Sequence, residues 1–388
     1  MEDYHTIIKN FDKINFREIS PTTQNIHENT FEEDLSNAID EFVDLSFKDL
    51  NKGTEENIRK RYFLNYMNDY NVKPKEVYYW LLNNQINSNS IYLLGYFNYY
   101  GIETNTNSKK AFELIQKAEE LGNDIAQLYL TNMYIDGEGI EKDYKKAFEL
   151  SKKLVERESP DGMNKLGCCY EYGFGTDINM KKAFEFYKKA SDLGNLHGMY
   201  NLGDCYENGI GTDIDRKKAF KLYQKVAELG YSHGIYYLGR CYKKGIGTDI
   251  DVQKAFKLYQ KAADLGNSDG VNSLGCCYDD GIGTVVNKQK AFKLFQKASD
   301  LGHLYGMNNL GCCYYNGIGT EINKKKAIEL YQKAANLGNR LAQYNLANMY
   351  KRGNWIEKDI NQAIHWYKKS AEQGYQLAQK KLKKLLKE

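Results

Sequence analysis

A chain of 388 residues with 54 basic and 51 acidic side chains has a net charge of only +3, which gives no surplus for holding a polyanion, so nucleic acid is not an expected partner. The opening stretch, MEDYHTIIKNFDK, is acidic at once and lacks the apolar core of a signal peptide, and nothing approaches the ~20 apolar residues of a membrane-spanning helix. Composition therefore predicts a cytoplasmic protein, or a nucleocytoplasmic one, with no membrane partner.

In chain order, residues 1–30 are polar, with Pro21 and a run of Asn and Thr, and read as irregular. A helix is predicted over Phe31 to Leu50, where Phe31, Leu35, Ala38, Ile39, Phe42 and Val43 fall at helical spacing and Asn51-Lys52-Gly53 ends the run. A second helix should run from Glu55 to Tyr70, and a third should open at Pro74. Residues 1–87 thus form a helical lead-in, expected to dock on whatever follows and cover its first open apolar face.

From Ser88 the chain repeats every 36 residues. Glycine recurs at Gly101, Gly137, Gly173, Gly209, Gly245, Gly281, Gly317 and Gly353, and alanine recurs from Ala111 to Ala363 at the same interval. The units are 88–123, 124–159, 160–195, 196–231, 232–267, 268–303, 304–339 and 340–375. Each reads as a helical hairpin. In its first half, Met163, Leu166 and Tyr170 share one face, and Gly167 on that face lets a partner helix come close. Gly173-Phe-Gly-Thr-Asp then turns the chain, and Ala183, Tyr187 and Ala190 form the stripe of a second helix that Gly194 ends. One hairpin cannot bury both apolar faces, so hairpins stack: an all-α solenoid of about eight 36-residue helix-turn-helix repeats. Residues 376–388 add a capping helix, with Leu377, Leu382, Leu385 and Leu386 expected inward and lysines outward. KKLKKLLK also fits a nuclear import signal or an anionic-membrane contact, but a solvated face on a cap is the simpler reading.

Catalytic constellations are missing from this pattern. All eight cysteines lie just before the recurrent tyrosine of the first helix, so successive ones are too far apart for disulfides and no histidine stands at zinc spacing. They read as reduced, buried thiols. The Gly-Ile-Gly-Thr turns lack the Gly-Lys-Ser/Thr ending of a phosphate loop and follow helices rather than strands. No histidine is paired with a nucleophile. The expectation is a non-enzyme with no cofactor and no metal.

The residues from Ala342 to Gly353, A-x-Y-x-L-A-x-M-Y-x-x-G, followed by A-x-x-W-Y-x-K-S-A-E-Q-G-Y from Ala363 to Tyr375, resemble the Sel1-like repeat, a relative of the tetratricopeptide repeat. The resemblance covers about three quarters of the chain and implies a right-handed superhelix in which the first helices line a concave groove. Fungal arrays of this type sometimes follow a kinase domain, but no kinase motif is present. Cysteine-rich bacterial members linked to β-lactam hydrolysis bridge the two helices of a repeat, and here no second helix holds a cysteine. Two departures stand out: Glu158 replaces a glycine ahead of Pro160, predicting an irregular end to that unit's second helix, and Trp355 replaces the second turn glycine of the last unit.

What the resemblance implies about function is a scaffold or adaptor that binds a protein or peptide partner in the groove. The helical angle of Asn164 and Cys168 points away from the hairpin core, and the same two positions in later units are Tyr200 and Asp204, Tyr236 and Arg240, Asn272 and Cys276, Asn308 and Cys312, Tyr344 and Asn348. These are the expected partner-binding residues, since Asn serves both donors and acceptors and Tyr offers a stacking face with a polar tip. The alternative is a regulatory or substrate-recruiting subunit of a signalling or protein-quality-control enzyme, docking through residues 1–87.

Overall fold

The computed structural model describes residues 24–54, 56–69, 72–353 and 355–386. Among them are 20 helices and no strands. They fall into two compact units, the described residues up to 165 with 174–176, and residues 166–173 with the described residues from 177 on.

The lead-in holds α1 (Gln24–Asn51), α2 (Glu56–Asp69) and α3 (Pro74–Asn83). Helix α1 begins seven residues before the expected Phe31, because neither Pro nor Gly interrupts the chain after Pro21. The reading of residues 1–23 as irregular lies outside the described residues. Leu35, Ala38, Ile39, Phe42 and Val43 of α1 are buried, as their spacing requires. Phe63 of α2 joins Phe42 to Phe97 of the first repeat, with ring centres 4.6 and 5.4 Å apart.

The lead-in does more than cover the end of repeat one. Helix α1 lies along the first helices of repeats one and two, and α3 lies on the first helix of repeat one. Asn89 donates to Asp40 at 2.8 Å, and the Ser159 hydroxyl donates to Asn51 at 2.6 Å. Side chains show part of the reason: Tyr96 meets Phe63 of α2 with ring centres 5.8 Å apart, and Tyr92, Leu93, Leu128 and Tyr129 are buried.

Each repeat contributes a helix A and a helix B of 13 residues, from Ser88–Tyr100 and Ser108–Glu120 to Arg340–Arg352 and Ile360–Glu372. In repeat four the Asn195 side chain accepts from the amide of Gly198 at 2.7 Å and starts helix A. Asp215 does the same for helix B through the amide of Lys218 at 3.0 Å. Such a cap contributes about 1 kcal/mol. Between the two, Gly209 takes the left-handed conformation that ends helix A. A Cβ on Gly203 would lie 2.8 Å from the Tyr223 ring, so glycine is what lets helix B seat against helix A. Repeat two solves the same fit from the other side, with Thr131 in the glycine's place and buried Ser151 in the tyrosine's.

Successive repeats join through the second turn glycine. Gly247 has φ +68, and a Cβ there would land on the carbonyl oxygen of Arg216, which opens helix B of the preceding repeat. Gly266, which follows the end of helix B, also has a positive φ of +83 but faces open space. That contrast explains Glu158. It adopts φ 56 at the Gly266-type position, and its helix B (Tyr144–Glu156) ends like the others rather than irregularly.

The terminal helix, Gln376–Leu385, corrects one expected register. Ala378 and Leu385 are buried and Leu382 is half-buried, whereas Leu377 and Leu386 are exposed. Residues i, i+4 and i+7 define one face, and Leu377 and Leu386 lie about 100° to either side of it.

Candidate interaction surface on the A helices

The two sides of helix A differ in how strictly they repeat. Toward helix B, Leu202, Leu238, Leu274 and Leu310 recur, backed by Cys205, Cys241, Cys277 and Cys313, all buried. Toward the opposite side the two positions run Tyr200/Asp204, Tyr236/Arg240, Asn272/Cys276, Asn308/Cys312 and Tyr344/Asn348, so the residue type varies along the array, and the eight expected partner-binding residues are found here.

The second unit binds these residues into a ladder between neighbouring A helices. Tyr237 packs on Tyr200 with ring centres 4.8 Å apart. Asn309 donates to Asn272 at 3.0 Å, and Asn345 donates to Asn308 at 3.0 Å. Tyr344 meets Tyr367 and Tyr375, while Asn348 accepts from the Tyr367 hydroxyl at 2.8 Å. Tyr236 packs on Tyr259 at 5.9 Å. Arg240 lies over the Tyr237 ring at 4.5 Å and pairs with Glu207 of the preceding repeat.

These residues are therefore half-buried rather than freely exposed, and Asn308 is 4% exposed. Asn164 is buried as well, and Cys168 is half-buried beneath the Tyr187 hydroxyl at 3.4 Å. Tyr200, Arg240, Asn272 and Asn308 lie against a neighbouring A helix, while Cys168, Tyr236 and Asn348 lie against helix B of their own repeat. The residues that do stand open lie one turn further along, at Asn208, Lys244, Asp280, Asn316 and Arg352. Sequence reasoning missed them, along with the ladder partners Tyr237, Asn309 and Asn345. Each ladder partner directly follows Tyr236, Asn308 or Tyr344 in the chain, about 100° around the helix from it.

Charge on this surface is uneven. Burial and the neighbouring Glu207 and Glu171 raise the pKa of Asp204, against the opposing pull of Arg240 and the hydrogen bond from Asn208. Burial works against the charge on Arg240, but Glu207, Tyr223, Tyr237 and Tyr236 outweigh it and raise its pKa. Burial and Asp269 push the Tyr236 hydroxyl up to about 12. The cysteines behave as packing groups: burial, then Glu171, pushes Cys205 up to about 12, and burial, then Glu207, does the same to Cys241. Among the described residues, no group of His, Cys, Asp and Glu could hold a metal ion, and no helix is long and apolar enough to cross a membrane. All eight cysteines are free thiols.

Comparison with known proteins bears on this arrangement directly. Segments 88–123, 125–158, 160–195, 196–231, 232–267, 268–303, 304–339 and 340–375 each match the Sel1 repeat. No curated protein matches the sequence. Among solved structures, a Sel1 repeat protein from Oxalobacter formigenes is similar at 27% identity and a TM-score of 0.50, over 77% of this chain and 86% of that one. The protective antigen c5321 of uropathogenic Escherichia coli, described as displaying an SLR fold, is 30% identical over 80% of this chain and 66% of its own, with a TM-score of 0.47. The immunity protein Pa5087 of Pseudomonas aeruginosa is 25% identical over 55% of this chain and 81% of its own, with a TM-score of 0.43. With eight consecutive matches coinciding with eight A/B hairpins, the chain belongs to the Sel1 repeat family.

Proposed function

We propose that the protein is a non-catalytic interaction scaffold, and that a protein or peptide partner is held on the A-helix surface of its second unit. Repeats of this family generally serve as protein-interaction scaffolds. One observation carries the placement. Within a single chain, the buried face of helix A repeats almost unchanged, while the opposite face runs through Tyr, Asp, Arg, Asn and Cys. A face needed only for stacking has no reason to vary in this way.

The test uses the open residues, since changes in the ladder would disturb packing. A variant with Asn208, Lys244, Asp280 and Asn316 all changed to Ala should melt close to the parent, because exposed substitutions cost under about 0.5 kcal/mol each. It should lose most of the partners that the parent retains in quantitative co-purification from its native source. Undiminished recovery overturns the placement. If recovery instead falls when exposed Tyr62 and Tyr79 of the lead-in are changed to Ala, the lead-in is the docking segment.

A further inference from the structure

One face of helix B departs from the pattern that the chain itself repeats. The third, sixth and tenth residues of each 13-residue helix B lie within about 60° of one another around its axis. In repeats one, two, three and seven these positions read Lys, Glu, Lys, as at Lys182, Glu185 and Lys189. The Glu stands four residues ahead of a Lys, the order in which such a pair supports a helix. In repeats four, five and six the Glu gives way to Lys221, Lys257 and Lys293. Helix B of these repeats (Arg216–Glu228, Val252–Asp264 and Lys288–Asp300) thus shows three exposed lysines on one face, Lys218, Lys221 and Lys225 in repeat four. Like charges at this spacing oppose a helix, and the exchange is made in three successive repeats. Folding gains nothing from it.

The lysines form a strip with defined edges. Lys218 and Lys254 place their Nζ 5.0 and 5.1 Å from the ring centres of Tyr206 and Tyr242. The same two lysines pair with the helix caps Asp215 and Asp251 at 3.3 and 3.4 Å, which sets one edge. Each helix has a single acid, Glu228, Asp264 or Asp300, at its last residue, and this sets the other edge. Each of those acids accepts from a glutamine four residues back at 2.8 to 3.0 Å. Between the edges, the helix advances about 10 Å from its third residue to its tenth. Lys297 donates to the Ala263 carbonyl of the preceding repeat at 3.3 Å, so the strip continues from one helix to the next. Among the described residues, none forms an ion pair with Lys221, Lys257 or Lys293. The near-neutral charge of the whole chain conceals this local excess.

We propose that Lys221, Lys257 and Lys293, with the lysines on either side of them, bind an extended acidic segment of a protein laid across the B helices of repeats four to six. Charge complementarity gives the sign of the partner, and the edges give its shape. A strip about 10 Å wide between acids suits a single extended chain, whereas a bilayer or a nucleic-acid duplex is broad enough to meet the bounding acids too. Phe220, Phe256 and Phe292 are half-buried with their rings against tyrosines of the next repeat, so none of them is open for a base to stack on. This surface lies on the B helices and goes beyond the partner placed on the A helices.

The probe is a fluorescent peptide of twelve glutamates, titrated into the full-length protein at about 0.15 M salt, where weak long-range attraction is screened. Saturable binding is expected, at least tenfold weaker in a variant with Lys221→Glu, Lys257→Glu and Lys293→Glu. That variant restores the Lys-Glu-Lys order of the other repeats, so it should melt at or above the parent temperature. Lys181→Glu, Lys325→Glu and Lys368→Glu remove the same charge from exposed B-helix positions outside the strip and should weaken binding less than threefold. Absence of saturable binding, equal weakening in the two variants, or a strip variant that melts below the parent overturns the proposal. A DNA duplex and phosphatidylserine vesicles should each lose less than threefold with the strip variant, and a tenfold loss for either overturns the choice of partner. No A-helix residue is changed in these experiments, so the scaffold reading and the acidic-segment reading can each fail alone.

Discussion

Asp204 shows how one residue can sit at odds with the fold around it. Its folded-state pKa is raised above the ordinary carboxylate value, chiefly by burial and then by Glu207 and Glu171. A raised carboxyl pKa means that the folded state holds the proton more tightly than the unfolded one. The resulting cost is absent at acid pH, grows as pH rises above about 4, and is fully present at neutral pH. Asp204→Asn keeps the shape and can still bond Asn208, so it should raise the melting temperature at pH 7 and raise it less at pH 4. An equal gain at both pH values, or a loss at pH 7, would show that the carboxylate is not under strain. A residue that lowers stability while facing a surface of variable chemistry is better placed for binding than for packing.

At the scale of the hairpin, two kinds of glycine look alike in sequence and differ in consequence. Gly266 needs only its positive φ, so Gly266→Ala should cost about 1–2 kcal/mol. Gly247 needs both its φ and the empty space against the Arg216 carbonyl, so Gly247→Ala should cost about 3 kcal/mol or more. Thermal or denaturant melts of the two variants decide the matter, and equal losses would remove the close approach as the reason for the G-x-G turn. The hairpins themselves were legible: the 36-residue period, the alanine stripe and the turn glycines located every A and B helix. Ladder contacts were not, because helical angle says which way a side chain leaves its own helix and not how near the next helix stands. Asn308, expected on the surface and found buried against Asn345, is that error in one residue. Leu377 is its counterpart, an apolar residue assigned inward that the terminal helix turns outward.

Across the molecule, the A surface is divided between two uses. In the first unit it carries Leu93, Tyr96, Leu128 and Tyr129 and is covered by the chain's own lead-in. In the second unit the same positions lose every Leu and hold Asn, Asp, Arg, Ser and Cys beside Tyr. Polarity along the repeats could have indicated this division from sequence, since an A helix meant to be covered has no use for Asp204 or Arg240. What no pattern within a repeat could supply was the docking of α1 across two repeats, which depends on contacts between segments far apart in the chain.

The repeated junction has a consequence for how such a chain can change length. Asn267 caps helix A of repeat six through the amide of Gly270, and Gly270 lies against Ala262. His303 caps helix A of repeat seven through Gly306, which lies against Ala298 in the same way. These two seams present the same shape to their successors, so the block between them can be removed or copied with neither seam redesigned. Deleting residues 268–303 would join Asn267 to Leu304 and place Gly306 where Gly270 had been. The shortened protein should fold with its helical circular dichroism reduced by about one repeat's share and a single cooperative melt. Aggregation or a loss of helix beyond that share would show that neighbours are not interchangeable. If the deletion is tolerated, copy number can drift by gain or loss of whole repeats, and each event adds or removes one rung of the variable surface while the rest of the array keeps its form.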